Sequence, residues 1–194
     1  MFRKNQIMKT QLLTLALGLA AASASAVSIG FIGTTSGAPT YNRATEDGSD
    51  LSFVGTDVPF HVQSFSVAGD GLYSFSLLAD DPSSFDTFAH LYIGSFNPSD
   101  ALANFLAGND DSVSGSPELG SSLTGISLFA GANYFFVISG FLNTDFGDFS
   151  ASIEGPAAIT LGAQAAPVPD QASTLLLAGI SFVAVAFLRR RLAK

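Results

Sequence analysis

Alternation of apolar and polar residues with a period of two is the feature that most restricts the fold of this chain. It is cleanest at residues 149–154, FSASIE, and it recurs at 72–78, LYSFSLL. Successive side chains of a β-strand point to opposite faces, so the pattern predicts strands with one face in the core and the other in water. Residues 134–138, YFFVI, are apolar throughout, which predicts a strand covered on both faces.

Further strands are predicted at residues 60–67, 88–93 and 123–128. Turn-forming Gly, Asn, Asp and Pro separate the strands, at residues 69–71, 97–98, 108–109, 130–133 and 147. A short helix is expected at residues 99–106, where Ser99 or Asp100 caps one or two turns. Six or more short strands with such punctuation predict an all-β fold, a single antiparallel β-sandwich over residues 27–160.

The composition allows one domain with a core of ordinary size. The chain has 194 residues, 18 of them Phe, and it contains neither Trp nor Cys. Without Cys there is no disulfide, no thiolate nucleophile and no sulfur-ligated metal. A Phe-rich core must therefore stabilise the fold, helped at most by an ion held through oxygen atoms.

Charge is distributed unevenly along the chain. Of the 8 basic residues only Arg43 lies between residues 27 and 188, and that interval holds all 16 acidic residues, which leaves it a net charge of −15. Because nucleic-acid binding requires Lys and Arg to neutralise phosphates, DNA and RNA are excluded as partners. Arg43 itself either pairs with a neighbouring acid and pins the N-terminal segment to the domain, or lies in a solvated loop.

The first 26 residues have the three parts of a secretory signal peptide. Basic residues near the start precede an apolar segment at 12–22 and a small-residue cleavage site, Ala24-Ser25-Ala26. Export by the Sec machinery and cleavage by signal peptidase would leave Val27 as the first mature residue. Translation starts at Met1 or at Met8, since a shorter but complete signal follows Met8.

A second apolar segment lies near the opposite end. Residues 172–188 carry no charge, and the basic tail at 189–194 begins with Arg189, Arg190 and Arg191. As a helix the segment would be about 26 Å long, which suffices for a hydrocarbon core of about 30 Å if the arginines snorkel. Because basic residues stay on the cytoplasmic side, this predicted transmembrane helix places the C-terminus inside the cell and the β-domain outside.

The linker at 161–171 completes a three-part order at this end. The sequence VPDQAST at 168–174 begins in this linker and ends in the apolar segment. It supplies a candidate sorting motif, Val168, Pro169, Asp170, Ser173 and Thr174. This motif, the apolar helix and the Arg cluster resemble the PEP-CTERM sorting signals, most closely their VPD variant, although Gln171 and Ala172 replace its usual small or Gly pair. The resemblance implies export by a Gram-negative bacterium, recognition by an exosortase in the inner membrane, and removal of the tail. It also implies an association with exopolysaccharide and biofilm matrix at the cell surface.

The middle of the chain carries a second resemblance. The order of strand and turn patterns between residues 65 and 149, including GLYSF at 71–75 and LFAGANYFFV at 128–137, is similar to the bacterial pre-peptidase C-terminal domains. These domains are jelly-roll-like β-sandwiches attached to secreted enzymes. The resemblance implies that fold and an extracellular accessory role. It implies no ligand, so a module that binds carbohydrate or protein is the alternative function.

Acidic and amide side chains cluster in the predicted loops, and the triplet Asn109, Asp110 and Asp111 is the candidate metal site. Calcium takes six to eight oxygen ligands, which Asp and Asn on neighbouring loops can supply. The triplet lacks the spacing of an EF-hand, and Asp and Asn are common in turns because their side chains bond nearby backbone amides. Structural calcium and plain turn chemistry are both open.

The sequence contains no recognisable set of catalytic residues. His61 and His90 each lie inside a predicted apolar strand, as structural histidines do, and no Gly-x-Ser-x-Gly motif or phosphate-binding loop occurs. Tyr73, Tyr92 and Tyr134 are expected in the core, or stacked on sugar rings if they face a groove. The sequence therefore predicts a non-catalytic exported protein.

Overall fold

The computed structural model describes residues 26–111 and 120–163, which contain eleven β-strands and no helix. The strands are β1 (Val27–Thr34), β2 (Thr40–Tyr41), β3 (Val58–Pro59), β4 (His61–Val67), β5 (Gly71–Ala79), β6 (Thr87–Ile93), β7 (Phe105–Asn109), β8 (Ser121–Leu128), β9 (Asn133–Gly140), β10 (Asp148–Gly155) and β11 (Ile159–Leu161). All neighbouring strands pair antiparallel. The expected all-β, antiparallel fold is confirmed for this part of the chain.

The strands form two main sheets. One has the order β1–β10–β5–β8 and the other the order β11–β4–β9–β6–β7, while β2 and β3 form a small sheet of their own. From β4 onward the chain passes from one main sheet to the other at nearly every connection. The connections consequently gather at the two ends of the sheets.

Alternate residues of the two main sheets meet in one core. Tyr73, Phe75 and Leu77 of β5 are buried there, as the period-two pattern predicts. The ring of Phe75 packs edge-on against that of Phe136 in β9, with centroids 5.1 Å apart. Each such side chain stabilises the fold by about 1.5–3 kcal/mol on burial, so a core without Trp or disulfides is sufficient.

The five-stranded sheet is covered on its other face as well. A second buried cluster lies there, formed by Tyr41, Val58, Tyr92, Ala101 and Val137. It is built from β2, β3, the β6–β7 connection and the strands beneath them. β9 therefore contributes side chains to both layers, which explains its continuously apolar sequence.

Two local expectations are wrong. Residues 99–104 form turns rather than a helix, and Phe105 begins β7. Residues 108 and 109, where a turn was expected, also belong to β7. In a helix the carbonyl oxygen of Ala101 would accept a backbone N–H of the next turn. Here it accepts a hydrogen bond from the Tyr92 hydroxyl at 2.9 Å instead. Asn104 then adopts a φ of 61°, and its left-handed conformation ends any helical course.

The predicted signal peptide up to residue 25, the candidate sorting motif and the predicted transmembrane segment lie outside the described residues. Within residues 26–111 and 120–163 there is no helix of the length and apolar character needed to cross a membrane.

Candidate functional site

Three connections place acidic side chains at the same end of the two-sheet domain. We call this the acidic end; its carboxyl groups follow β5, β7 and β9 or begin β10, and they are Asp80, Asp81, Asp86, Asp110, Asp111, Asp145 and Asp148. Thr87 pairs with Gly140 and Ala89 with Asn109, so the connections next to these strand ends, which carry Asp86, Asp110 and Asp145, lie side by side. The acidic loops predicted from the sequence are thus brought together by the fold.

Arg43 is the single Lys or Arg among the described residues, and it lies inside the domain at this end, only 2 % exposed. Its Nη2 donates to the carbonyl oxygen of Phe141 at 2.9 Å, and its Nη1 to that of Ala44 at 3.2 Å. The guanidinium carbon is 3.8 Å from the centroid of the Phe88 ring. The alternative of a solvated loop is therefore wrong, because Arg43 pins the segment between β2 and β3 to the β9–β10 connection.

Burial lowers the pKa of Arg43, and the charges of Asp110, Asp86 and Asp145 act in the opposite direction. The guanidinium stays charged nonetheless, because the pKa of an arginine starts far above neutrality. Gly55 allows the chain to close over this side chain, since a Cβ at that position would collide with Arg43 Nε. The Gly55 carbonyl accepts the Arg43 backbone N–H at 3.1 Å, which holds the two segments together.

Asp86 has the most strongly perturbed carboxyl group of the acidic end. Burial is the main cause, and the charges of Asp145, Asp110 and Asp111 add to it, so the pKa of Asp86 rises to about 6. Asp86 is the last residue of the β5–β6 connection, and its backbone carbonyl accepts the N–H of Phe141 at 3.0 Å. The acidic end therefore changes its charge in mildly acidic conditions.

A shallow cavity of about 310 Å³ opens at the acidic end, lined by Ser36, Asp80, Asp81, Ser84, Phe85, Gly147 and Asp148. Asp81 is fixed by its own turn, where its Oδ1 accepts the Ser83 hydroxyl at 2.6 Å and its Oδ2 the Ser84 hydroxyl at 3.0 Å. These hydrogen bonds lower the pKa of Asp81, and the bond from the Ser83 hydroxyl has the largest effect. A lining of this kind suits hydrogen-bond donors and cations rather than anions.

The candidate metal triplet forms a turn at the edge of this end. Asn109 Oδ1 accepts the N–H of Asp111 at 2.9 Å, and Asn109 Nδ2 donates to the carbonyl oxygen of Ser122 at 2.9 Å. The Asp110 carbonyl accepts the Ser121 hydroxyl at 3.1 Å. In the described part of the chain no group of three or more His, Asp or Glu side chains is arranged to hold a metal ion. Calcium at this triplet stays a prediction.

His90 lies in a buried polar network that the sequence did not reveal. Its Nδ1 is 3.4 Å from the hydroxyl of Tyr41, which is 3.5 Å from the Ser139 hydroxyl, and its Nε2 is 3.1 Å from the carbonyl oxygen of Ala44. Burial lowers the pKa of His90 to about 3, so the ring is neutral. This network joins the β2 segment to β6 and β9 inside the second cluster.

His61 and the three tyrosines of the main strands are also parts of the core. The His61 ring packs edge-on against Phe149, with centroids 5.1 Å apart, and burial lowers the pKa of His61. Tyr73, Tyr92 and Tyr134 are fully buried, which confirms their expected place in the core. The alternative in which these tyrosines stack on sugar rings is wrong.

Comparison with known proteins identifies the C-terminal segment. Residues 167–192 match the family model of the VPDSG-CTERM motif, a match that spans the candidate sorting motif and the Arg cluster. The chain therefore carries a PEP-CTERM-like sorting tail, as the sequence predicted. No curated protein matches the chain. The resemblance of the middle region to pre-peptidase C-terminal domains stays a prediction.

Proposed function

We propose that this chain is a non-catalytic protein exported by a Gram-negative bacterium and sorted by an exosortase to the cell surface or the extracellular matrix. The match of residues 167–192 to the VPDSG-CTERM motif carries this proposal. The Sec machinery exports the chain, signal peptidase cuts after Ala26, and the apolar segment at 172–188 holds the protein in the inner membrane until the exosortase removes the tail. The two-sheet domain, as a jelly-roll-like sandwich, is then the mature product.

Exopolysaccharide is the proposed surrounding of this product. The interval from residue 27 to 188 has a net charge of −15, so an acidic polysaccharide repels it unless divalent cations bridge the two. Calcium is the cation best suited to carboxylate oxygens in such a setting. The proposal therefore includes calcium, either as an ion that bridges the protein and the polysaccharide or as an ion bound by the Asn109–Asp111 turn.

The sorting motif is tested by replacing Val168, Pro169 and Asp170 with Ala and following the protein through the cell fractions of its exosortase-containing host. The wild-type protein is expected at the surface or in the matrix in a shortened form, and the triple variant in the inner membrane at full length. A matched control, Pro98→Ala with Asp100→Ala, removes the same two residue types from an exposed turn. Identical size and location of the wild type and the motif variant would refute sorting through this motif.

Binding of carbohydrate by the domain is the second candidate function, and exposed aromatic side chains favour it. Phe53 is 88 % exposed, and Phe146 is also exposed on a neighbouring loop of the acidic end. Asn143 joins the two loops, because its Oδ1 accepts the N–H of Asp57 at 2.9 Å and its Nδ2 donates to the Thr56 hydroxyl at 3.1 Å. Exposed aromatic rings on two loops that are hydrogen-bonded to each other are suited to stacking against sugars.

The test of this second function is the retention of the exported protein on exopolysaccharide from its own host. Replacement of Phe53 and Phe146 together by Ala is expected to weaken retention about tenfold or more, as the loss of two aromatic contacts does. Phe129→Ala is the matched control, because Phe129 is exposed on the β8–β9 turn at the opposite end. Equal retention of both variants and the wild type would rule out these rings as the binding surface.

A further inference from the structure

β1 forms one edge of the four-stranded sheet, and no strand of the described residues pairs with its outer side. It pairs with β10 through eight consecutive residues from Val27 to Thr34 without a register shift. Its sequence, VSIGFIGT, contains neither a charge nor a proline. Long, regular and uncharged edge strands are templates for pairing with another strand.

The other three sheet edges are protected in ways that β1 is not. β8 bulges where Tyr73 and Phe75 shift register, next to Gly125 with its φ of 71°. β7 also has a register shift, between Leu91 and Tyr92 of its partner strand, and β11 has only three residues. Bulges and short strands are devices by which proteins prevent edge pairing. Among the four edges of the two main sheets, β1 from Val27 to Ile32 is thus the one with the least protection against pairing.

The backbone groups on the open side of β1 follow from its ladder. The N–H of Thr35 donates to the Gly147 carbonyl at 2.9 Å in the position that continues the β1–β10 pairing. Since residues bonded to one neighbour and residues facing away alternate along an antiparallel strand, Ser28, Gly30, Ile32 and Thr34 face away from β10. The backbone of Thr34 is hydrogen-bonded by the His61 side chain, so the open stretch of β1 is the part that contains Ser28, Gly30 and Ile32. The Ile32 side chain is also 81 % exposed.

We propose that β1 docks against β1 of a second copy of this chain, antiparallel, with the two-fold axis at Phe31. This register pairs the outward-facing residues of the two strands with one another, as an antiparallel ladder requires. Ile32 then lies opposite Gly30 on the outer face, and Ile29 lies opposite Gly33 on the inner face. Each isoleucine side chain thus packs over a glycine of the other copy, so the strand is complementary to itself.

Two observations favour a pair of identical chains: the acidic ends of the two copies lie far apart, and the outer edges of the joined sheet are bulged. The antiparallel arrangement directs the two acidic ends away from each other, because Thr34 pairs with Asp148 at the acidic end while Val27 pairs with Gly155 at the opposite end. After pairing, the outer edges of the joined eight-stranded sheet are two copies of the bulged β8. Growth therefore stops at two copies instead of continuing into a fibre. This proposal does not depend on the sorting function.

The first experiment uses the chain with its tail intact, produced in a host without an exosortase and purified in detergent, and measures its mass by sedimentation at micromolar concentration. The wild type is expected as two copies and Ile32→Lys as one, because lysine on an edge strand opposes pairing. Leu72→Lys is the matched control, since Leu72 is 65 % exposed on the same outer face but lies on the interior strand β5. Both variants are expected to keep the wild-type circular dichroism spectrum.

A wild type that sediments as one copy would overturn the proposal. A pair that survives Ile32→Lys would overturn it too, and would point to association through the tail. A single-copy protein that pairs only after removal of residues 164–194 would identify the protein's own tail as the occupant of the β1 edge, which also contradicts the proposal.

The second experiment uses the absence of Cys from the chain. Chains with Gly30→Cys and chains with Ile32→Cys are co-expressed and oxidised, and a mixed disulfide is expected because opposite residues of a ladder lie about 5.5 Å apart at Cα. A Cβ at Gly30 meets only the Ala151 carbonyl oxygen, at 3.6 Å, so the substitution fits the sheet. Chains with Ser74→Cys and Ser76→Cys are the control, and a mixed disulfide no more abundant than theirs would refute this register.

Discussion

Asp86 and Arg43 have opposite charges at the same end of the domain, yet burial still raises the pKa of Asp86 and lowers the pKa of Arg43. The donors of Arg43 are directed at the carbonyl oxygens of Phe141 and Ala44, and its ring partner is Phe88. Its charge is the smallest of the influences on Asp86, after burial and the charges of three carboxyl groups. Arg43 thus organises the backbone of the acidic end more than it neutralises the acids.

The Asn variant of Asp86 tests this electrostatic balance. An Asp whose pKa is raised on folding to about 6, from 3.8, destabilises the folded state once it is ionised, so its cost is fully present above pH 6 and absent below about pH 4. Asp86→Asn is expected to raise the free energy of unfolding at pH 7.5 by about 1 kcal/mol, a value reduced for solvent screening, and to have little effect at pH 4. Urea unfolding at the two pH values measures this.

Asp100→Asn is the control for the Asp86 variant, because Asp100 is exposed in the β6–β7 turn. It is expected to change stability equally little at both pH values. A loss of stability in Asp86→Asn at pH 7.5 would show that the ionised carboxylate has a stabilising partner.

β5 and β10 are held together by a close contact between backbone and ring. The Tyr73 ring is fully buried against Gly155, and a Cβ at Gly155 would collide with it. The ring cannot move aside, because the Tyr73 hydroxyl donates to the Gly69 carbonyl at 2.8 Å. Glycine at the end of β10 is therefore a packing requirement of this strand pair.

Gly155→Ala is expected to lower the free energy of unfolding by about 2–3 kcal/mol, since an added methyl group overpacks a fixed site. Gly30→Ala in β1, the strand that also pairs with β10, is the matched control. Its Cβ makes only an ordinary contact, so we expect a change within about 0.5 kcal/mol. Chemical denaturation of both variants compares the two sites, and equal effects would contradict the role given to Tyr73.

Six strands, β4, β5, β6, β8, β9 and β10, could be predicted from sequence because their apolar pattern reflects burial on one face or two, whereas β1 and β11 were not among the predicted strands. β2, β3 and β7 could not, since strands of two to five residues carry too little periodicity. The turns at 99–104 include the Ala101 carbonyl that accepts the hydroxyl of Tyr92, a tertiary contact with the interior strand β6 that helix propensity does not encode. Likewise the acidic loops were visible, but the burial of Arg43 among them depends on the β2–β3 segment covering a sheet.

At the scale of the whole molecule, charge and apolar surface are separated. The carboxyl groups gather at one end, the sorting tail carries the Arg cluster, and β1 offers an uncharged edge along one side. Each of these surfaces suits a different partner: cations or sugars at the acidic end, the inner membrane and an exosortase at the tail, and a second copy along β1. Under the functions proposed above, sorting and association with other molecules use separate surfaces of the protein.

The pairing of β1 with β10 also has a consequence for the order in which this protein acquires its structure. Thr34 and Gly147, which meet where these strands begin and end, are 113 residues apart in the chain. The four-stranded sheet cannot close until nearly the whole domain has been synthesised, and such long-range pairing is slow. For the export proposed above this delay is favourable, because a chain that has not closed its sheet can still be threaded through a translocon.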